Sequence, residues 1–132
     1  MVQTKEDKEQ ITLFSWIEFA KNRYEELSLI YHVPNEGKRS ASTGARLQAM
    51  GLRAGVPDIC LPTAHGGYIG LYIELKVKPN KPTDKQKQWL RGLRDAGHLT
   101  AVCYGWEEAK KLIEEYISLP LTIPKGNIHE TK

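Results

Sequence analysis

The ten residues from Tyr68 to Val77 constrain the fold of this chain more than any other segment. Their side chains alternate, with Ile69, Leu71, Ile73, Leu75 and Val77 on one side and Tyr68, Tyr72, Glu74 and Lys76 on the other. A period of two predicts a β-strand with one face committed to a core and one polar face left free for chemistry. Just upstream, Pro57 opens a shorter apolar run, Asp58 to Leu61, and Pro62 to Gly67 forms a glycine-containing connection. The two runs together predict a β-hairpin.

The flanking segments supply helices and further strands. From Glu6 to Leu27, Gln10, Leu13, Phe14, Ile17 and Tyr24 recur at spacings that place them along one side of an amphipathic helix. Leu29 to Val33 reads as a short strand stopped by Pro34, and Asn35 to Arg39, containing Gly37, as an exposed basic turn. Ser40, Ser42 or Thr43 can cap a helix running to about Met50, with Gly51 suited to the position past its end. After the loop Lys78 to Pro82, Thr83 and Gln86 match a capping box, Trp89, Leu90 and Leu93 give the next helix an apolar stripe, and Gly97 ends it. Leu99 to Tyr104 is another strand. Glu107 to Ile117 is a last helix that buries Ala109, Leu112, Ile113 and Tyr116. The expected class is α/β, in the order α, β, α, β, β, α, β, α. With 132 residues, 40% of them hydrophobic, the chain has material for a single core. We expect one domain over 1–119 and an extended or mobile tail over 120–132.

Composition removes several classes of function. No uncharged apolar run reaches the roughly 18 residues of a membrane span, and the opening MVQTKEDKEQ lacks the apolar stretch of a signal peptide, so neither insertion nor secretion is expected. Cys60 and Cys103 lie in apolar runs without the paired spacing of zinc sites, which predicts core thiols in a reducing, cytoplasmic setting. The net charge of +3 excludes a histone-like polycation, but its distribution is uneven. Glu36 to Arg53 sets Lys38, Arg39, Arg46 and Arg53 against Glu36 alone, and Lys76 to Arg94 sets seven basic residues against Asp84 alone. Such segments suit a phosphate-tracking surface, the alternative being solvated helix faces.

The residues that can carry chemistry sit on the hairpin. Asp58 follows a proline at the start of one strand, and Glu74 and Lys76 share the polar face of the next. Two carboxylates converging on one point repel each other unless a cation lies between them, and oxygen ligands with open water positions suit a hard ion such as Mg²⁺ or Mn²⁺. A phosphodiester is the natural substrate of such a set, with the lysine orienting water and offsetting developing negative charge. The competing account makes Glu74 and Lys76 ordinary solvated residues of a polar strand face.

At these positions the sequence resembles a family. GVPDICLP (Gly55 to Pro62), GGYIGLYIELK (Gly66 to Lys76), Gln86 and Trp89 within TDKQKQWL, and Gly97 before a strand resemble the VRR-NUC family of the PD-(D/E)XK nuclease superfamily. NEGKRS (Asn35 to Ser40) and GLRAGVPD (Gly51 to Asp58) resemble its compact phage and bacterial members. The resemblance runs from about Glu6 to Ile117. It implies a mixed central sheet flanked by helices and Mg²⁺- or Mn²⁺-dependent endonucleolytic cleavage of DNA, often at Holliday junctions or flaps. It also implies a homodimer and a place in replication, recombination or repair in a bacterial or phage-infected cell. Carried over by position, Asp58 and Glu74 become metal ligands with the backbone carbonyl of Leu75 as a third, Lys76 the catalytic lysine, and Gln86 a supporting residue. An acid on the first helix often completes such sites; here Glu6 and Glu9 compete, Glu6 being slightly favoured because it lies one turn before Gln10 on the same face, and each has an equal alternative account as a first-turn acid that complements the helix dipole. Glu36 stands where the family often has a second glycine.

Other residues are weighed singly. Lys38, Arg39, Arg46 and Arg53 are candidate phosphate contacts. Gln86 has a second account as the partner of Thr83, and one side chain is not expected to fill both roles. His32, His65, His98 and His129 show no metal spacing, and Trp16, Trp89 and Trp106 read as core or dimer contacts rather than base-stacking platforms. Tyr72 shares the face of Glu74 and is a candidate lining residue. Two rival functions remain open: a DNA-binding module without cleavage, and a restriction-type nuclease reading a short duplex sequence.

Overall fold

In the computed structural model, residues 3–34 and 41–122 are described. Along the chain these form α1 (Lys5–Ala20), a 3-10 turn (Glu25–Leu29), β1 (Tyr31–His32), α2 (Ala41–Ala49), β2 (Ile59–Leu61), β3 (Leu71–Lys76), α3 (Asp84–Asp95), β4 (Leu99–Tyr104) and α4 (Trp106–Ile117). The alternation expected from the sequence is therefore the observed order, with the 3-10 turn inserted after the first helix.

One mixed sheet, in the order β1-β2-β3-β4, organises the molecule. β1 pairs antiparallel with β2 and β2 antiparallel with β3, while β3 runs parallel to β4 in a register from Leu71 opposite Leu99 to Lys76 opposite Tyr104. Parallel neighbours cannot be joined by a tight turn, and α3 provides the crossover. Ile59, Leu61, Leu71, Ile73, Leu75 and Cys103 share one core with Leu13, Ile17 and Ala20 of α1 and Ala109, Ile113 and Tyr116 of α4. Full burial of each aliphatic side chain contributes about 1.5–3 kcal/mol, so α1 and α4 hold this face firmly. α3 lies on the opposite face, with Trp89, Leu90 and Leu93 half-buried. The free thiols Cys60 and Cys103 are buried, and burial, aided by the charge of Glu108, pushes the Cys103 thiol up to about 12.

Some boundaries differ from the sequence expectation. The first helix stops at Ala20, not Leu27: Tyr24 N–H still reaches the Ala20 carbonyl at 2.8 Å, but the 3-10 turn then drops Leu27 into the core. Packing of one leucine overrides a helical period that would have carried it elsewhere. Leu29 belongs to that turn and is exposed, which leaves a two-residue β1. Thr43 lies inside α2 instead of capping it, and Ser40 falls outside the described residues. Gly51 adopts φ 111° just after α2, as a terminating glycine should. Of the expected tail, Pro120 and Thr122 are hydrogen-bonded to the β2–β3 connection through Gly66, Gly67, Ala64 and Tyr68, and 123–132 fall outside the described residues. Among the described residues no helix is long and apolar enough to cross a membrane.

Candidate active site

The antiparallel register sets Ile59 opposite Ile73, and one step further along it Asp58 faces Glu74. β2 begins only at Ile59, so the edge of β3 beyond Ile73 lacks a strand partner on that side. Asp58 replaces that partner, its Oδ2 accepting from the Leu75 N–H at 2.8 Å. The segment leading to Asp58 is braced from the other side. Gly55, at φ 90°, lies so close to the first turn of α3 that a Cβ there would stand 2.9 Å from the Lys85 carbonyl carbon.

The polar face of β3 is not the open surface its alternation suggested. Asp58, Glu74 and Lys76 are 5%, 1% and 8% exposed, because α3 packs over this side of the sheet. The solvated reading of the pair is thereby corrected. Lys76 Nζ stands 3.6 Å from Glu74 Oε2, and Gln86 Nε2 donates to the same oxygen at 3.2 Å. Glu74 Oε1 is buried with no donor. Burial pushes the Glu74 carboxyl up to about 8, the charge of Asp58 and a hydrogen bond with it add to the rise, and Lys76 partly counters it. A cation placed beside the two carboxylates would offset this rise.

Gln86 also corrects the expectation that it serves either the helix cap or the site. Its Oε1 accepts from Thr83 N–H at 2.8 Å while Nε2 reaches Glu74. The amide has an acceptor at one end and a donor at the other, and each role uses one end.

The two candidate acids of α1 diverge. Glu6 Oε2 accepts from Asn80 Nδ2 at 3.1 Å and lines a cavity of about 760 Å³ together with Gln10, His32, Asp58, Leu75 and Lys78. Glu9 Oε1 instead accepts from Trp106 N–H at 3.2 Å, at the junction of β4 and α4. The Leu75 side chain is in the core, so its backbone is what meets the cavity. N–H and C=O of one strand residue leave the same edge, which brings the Leu75 carbonyl out beside Asp58.

Among the candidate phosphate contacts, Arg46 is exposed in the last turn of α2. Arg53 is exposed but turned back, its Nη1 donating to the carbonyls of Gln48 and Leu52 at 3.3 and 3.2 Å. Lys38, Arg39 and Glu36 lie outside the described residues. Tyr72 does not line the cavity: its ring packs edge-on against His98, and burial plus a hydrogen bond with Cys60 pushes the phenol up to about 12. Sequence reasoning missed His32, whose Nδ1 is 2.9 Å from the Asp58 carbonyl oxygen, and Asn80. No local motif signals either, since both act across elements distant in sequence.

This geometry can be set beside known proteins. The model of the VRR-NUC domain matches residues 4–107. The chain belongs to the VRR-NUC family. A solved structure described as a VRR_NUC domain protein superposes on it with a TM-score of 0.74 at 26% identity, over 91% of this chain and 93% of the other. No curated protein matches the sequence. The VRR-NUC fold, of the PD-(D/E)XK type, and a nuclease-type family thus follow.

VRR-NUC nucleases are generally divalent-metal dependent, and the donor set here can be tested against such an ion. Among the described residues no group of three or more His, Cys, Asp or Glu side chains converges. What converges is Asp58, Glu74 with an oxygen lacking any donor, and the edge where the Leu75 carbonyl emerges. Mg²⁺ typically takes one or two carboxylates and completes its shell with water and substrate phosphate oxygens. The residues present fit that pattern.

Proposed function

We propose that this chain is a Mg²⁺- or Mn²⁺-dependent endodeoxyribonuclease that hydrolyses phosphodiester bonds in structured DNA, at a Holliday junction or flap. The observation that carries the reading is the pair Asp58 and Glu74, buried and opposite each other across the two strands, with Lys76 beside Glu74 and one Glu74 oxygen without a donor. Asp58, Glu74 and the Leu75 carbonyl would hold the ion, with Glu6, which lines the cavity beside Asp58, the contributing acid of α1. The bound ion supplies polarisation of the phosphoryl oxygen and a nucleophile at neutral pH.

The protein's own groups do the remaining work. Lys76, buried and close to Glu74, places a fixed ammonium where negative charge grows on the phosphate, and its N–H groups orient the attacking water. Gln86 holds Glu74 by Oε2. The burial of all three charged side chains limits competing water around them. Arg46, Arg53, Lys38 and Arg39 would position the phosphate backbone without reading sequence. A homodimer would present two such sites to opposite strands. The buried free thiols agree with action in the cytoplasm of a bacterial or phage-infected cell, in replication, recombination or repair.

The test is cleavage of junction, flap and linear duplex DNA by the purified protein with Mg²⁺, with EDTA, and after Asp58→Asn, Glu74→Ala or Lys76→Ala. We expect metal-dependent cutting of branched substrates and a loss of about 100-fold or more in each variant. Cleavage surviving EDTA or all three substitutions would overturn the mechanism. Junction binding with no cutting under any divalent metal would leave a binding module, and sequence-fixed fragments from linear plasmid would favour a restriction-type enzyme.

A further inference from the structure

Resting on the metal-binding reading above, we propose that Thr83, the residue capping α3, is a positioning residue for Glu74 and acts on it through Gln86. Two reciprocal hydrogen bonds form the cap: Gln86 N–H donates to Thr83 Oγ1 at 3.2 Å, and Thr83 N–H donates to Gln86 Oε1 at 2.8 Å. A backbone N–H at one end of the amide requires its oxygen there, so the NH₂ group must take the other end, and that end lies 3.2 Å from Glu74 Oε2. The helix cap thus decides that Glu74 meets a donor and not a second oxygen.

The consequence is a choice between the two oxygens of one carboxylate. Gln86 and Lys76 both lie on Oε2, at 3.2 and 3.6 Å, and Oε1 is left buried and without a donor. Asp58 is held in a parallel way, its Oδ2 gripped by the Leu75 N–H. Gln86 and Lys76 thus hold Glu74 by Oε2, and Oε1 is the oxygen that a bound cation would meet. Capping boxes are usually local devices that secure a helix start. Here the same four atoms also set the rotamer of a ligand on the neighbouring strand. Gly55, wedged against Lys85 and Gln86, removes the slack by which α3 could shift away.

The experiment is calorimetric titration of the full chain with Mn²⁺, in the absence of DNA, for wild type, Thr83→Ser, Thr83→Val and Thr83→Pro, and for Thr83→Val combined with Gln86→Ala. Serine keeps both halves of the cap and should keep wild-type affinity. Valine loses the hydroxyl. Proline, compatible with the φ of −71° at this position, also loses the N–H that holds the amide oxygen. We expect Mn²⁺ binding to weaken progressively from valine to proline, reaching about tenfold, the usual effect of losing a support behind a ligand. In the Gln86→Ala background Thr83→Val should change the affinity no further, because the link between them is gone. A purely structural cap would act equally in both backgrounds, and that additivity would overturn the inference, as would unchanged affinity in both valine and proline variants. Should proline prevent folding, the valine cycle decides alone. If wild-type protein gives no Mn²⁺ isotherm sensitive to Asp58→Asn, the metal-binding reading falls and takes this inference with it; binding that is present but indifferent to Thr83 overturns only the latter.

Discussion

Glu74 holds a conflict, since a side chain that the proposed metal site needs ionised is placed where ionisation is disfavoured. Its carboxyl is raised from 4.5 to about 8, chiefly by burial. The folded protein therefore holds a proton on Glu74 over a range in which the unfolded chain has released it. Stability without metal must fall as pH rises, beginning near 4.5 and completing above about 8. A divalent cation should offset this loss, and more strongly at pH 8.5 than at pH 5.5. Glu74→Gln should abolish the proposed cleavage but remove the penalty, so in EDTA at pH 8.5 it should melt above wild type, with the gap closing at pH 5.5. Thermal melts at the two pH values check this, and a variant whose melting temperature tracks wild type at both would refute it. Asp58, Glu74 and Lys76 were legible because carboxylates and a lysine at that spacing on a hairpin admit few chemistries. Their burial was not legible, since a period of two says which residues share a face and nothing about what covers it.

At the level of elements, helix starts and strand pairing were readable, and long-range closure was not. Thr83 and Gln86 announce α3 because capping is a contact three residues apart. The end of α1 could not be read the same way, because it depends on Leu27 finding space in a core assembled from distant strands. Gly55 belongs to this second kind. It precedes Asp58 by three residues, and its importance comes from α3, thirty residues away. Gly55→Ala would add a methyl 2.9 Å from backbone and side-chain carbons of Lys85 while holding a non-glycine residue at φ 90°. We expect a loss of about 2 kcal/mol or more in urea unfolding. We also expect a fall in cleavage beyond what the lost stability explains, because Asp58 must retreat from the helix that supports Glu74. Gly44→Ala is the matching comparison, since no atom lies within 4 Å of its added Cβ; equal effects of the two substitutions would show that the close approach does not matter.

On the scale of the whole molecule, the two ends of β3 do different work. Lys76 ends it in the proposed active site, whereas the connection before Leu71 is fastened by a polar cluster that sequence reasoning set aside. His65 is buried there, with Nε2 2.6 Å from Glu26 Oε2 and Nδ1 2.7 Å from the Leu119 carbonyl oxygen, while Thr63 donates to Glu26 and Tyr116 to the Thr63 carbonyl, each at 2.6 Å. Its members come from three separate stretches, so no spacing rule could find them. Replacing His65 by alanine leaves a cavity and takes one of two partners from Glu26, at an expected cost of about 3 kcal/mol. Leu71 and Lys76 are separated by roughly 17 Å of extended strand, at about 3.3 Å per residue. Mn²⁺ affinity at temperatures where the variant is folded should therefore match wild type. A loss of affinity parallel to the loss of stability would mean that the sheet transmits strain along its length and that clasp and site are one unit.

Charge is distributed on the same scale, and it makes the last prediction. A net charge of +3 is too small to draw DNA from a distance, so binding has to come from where the positive side chains stand. Lys85, Lys87 and Arg91 are exposed on α3, the helix that starts beside Glu74, and among the described residues none of them forms an ion pair. An unpaired cation on the surface can release counterions from a phosphate, whereas Arg94, already 3.1 Å from Asp95, has less to gain. Changing Lys85, Lys87 and Arg91 singly to glutamine should weaken junction binding and lower the slope of log K against log salt by about one for each residue that meets a phosphate. The same change at Arg94 should leave the slope nearly as it was. Fluorescence anisotropy over a series of NaCl concentrations gives these slopes directly. If the three α3 variants keep the full slope, DNA does not run along this helix, and the cationic track must lie with Arg46 and Arg53.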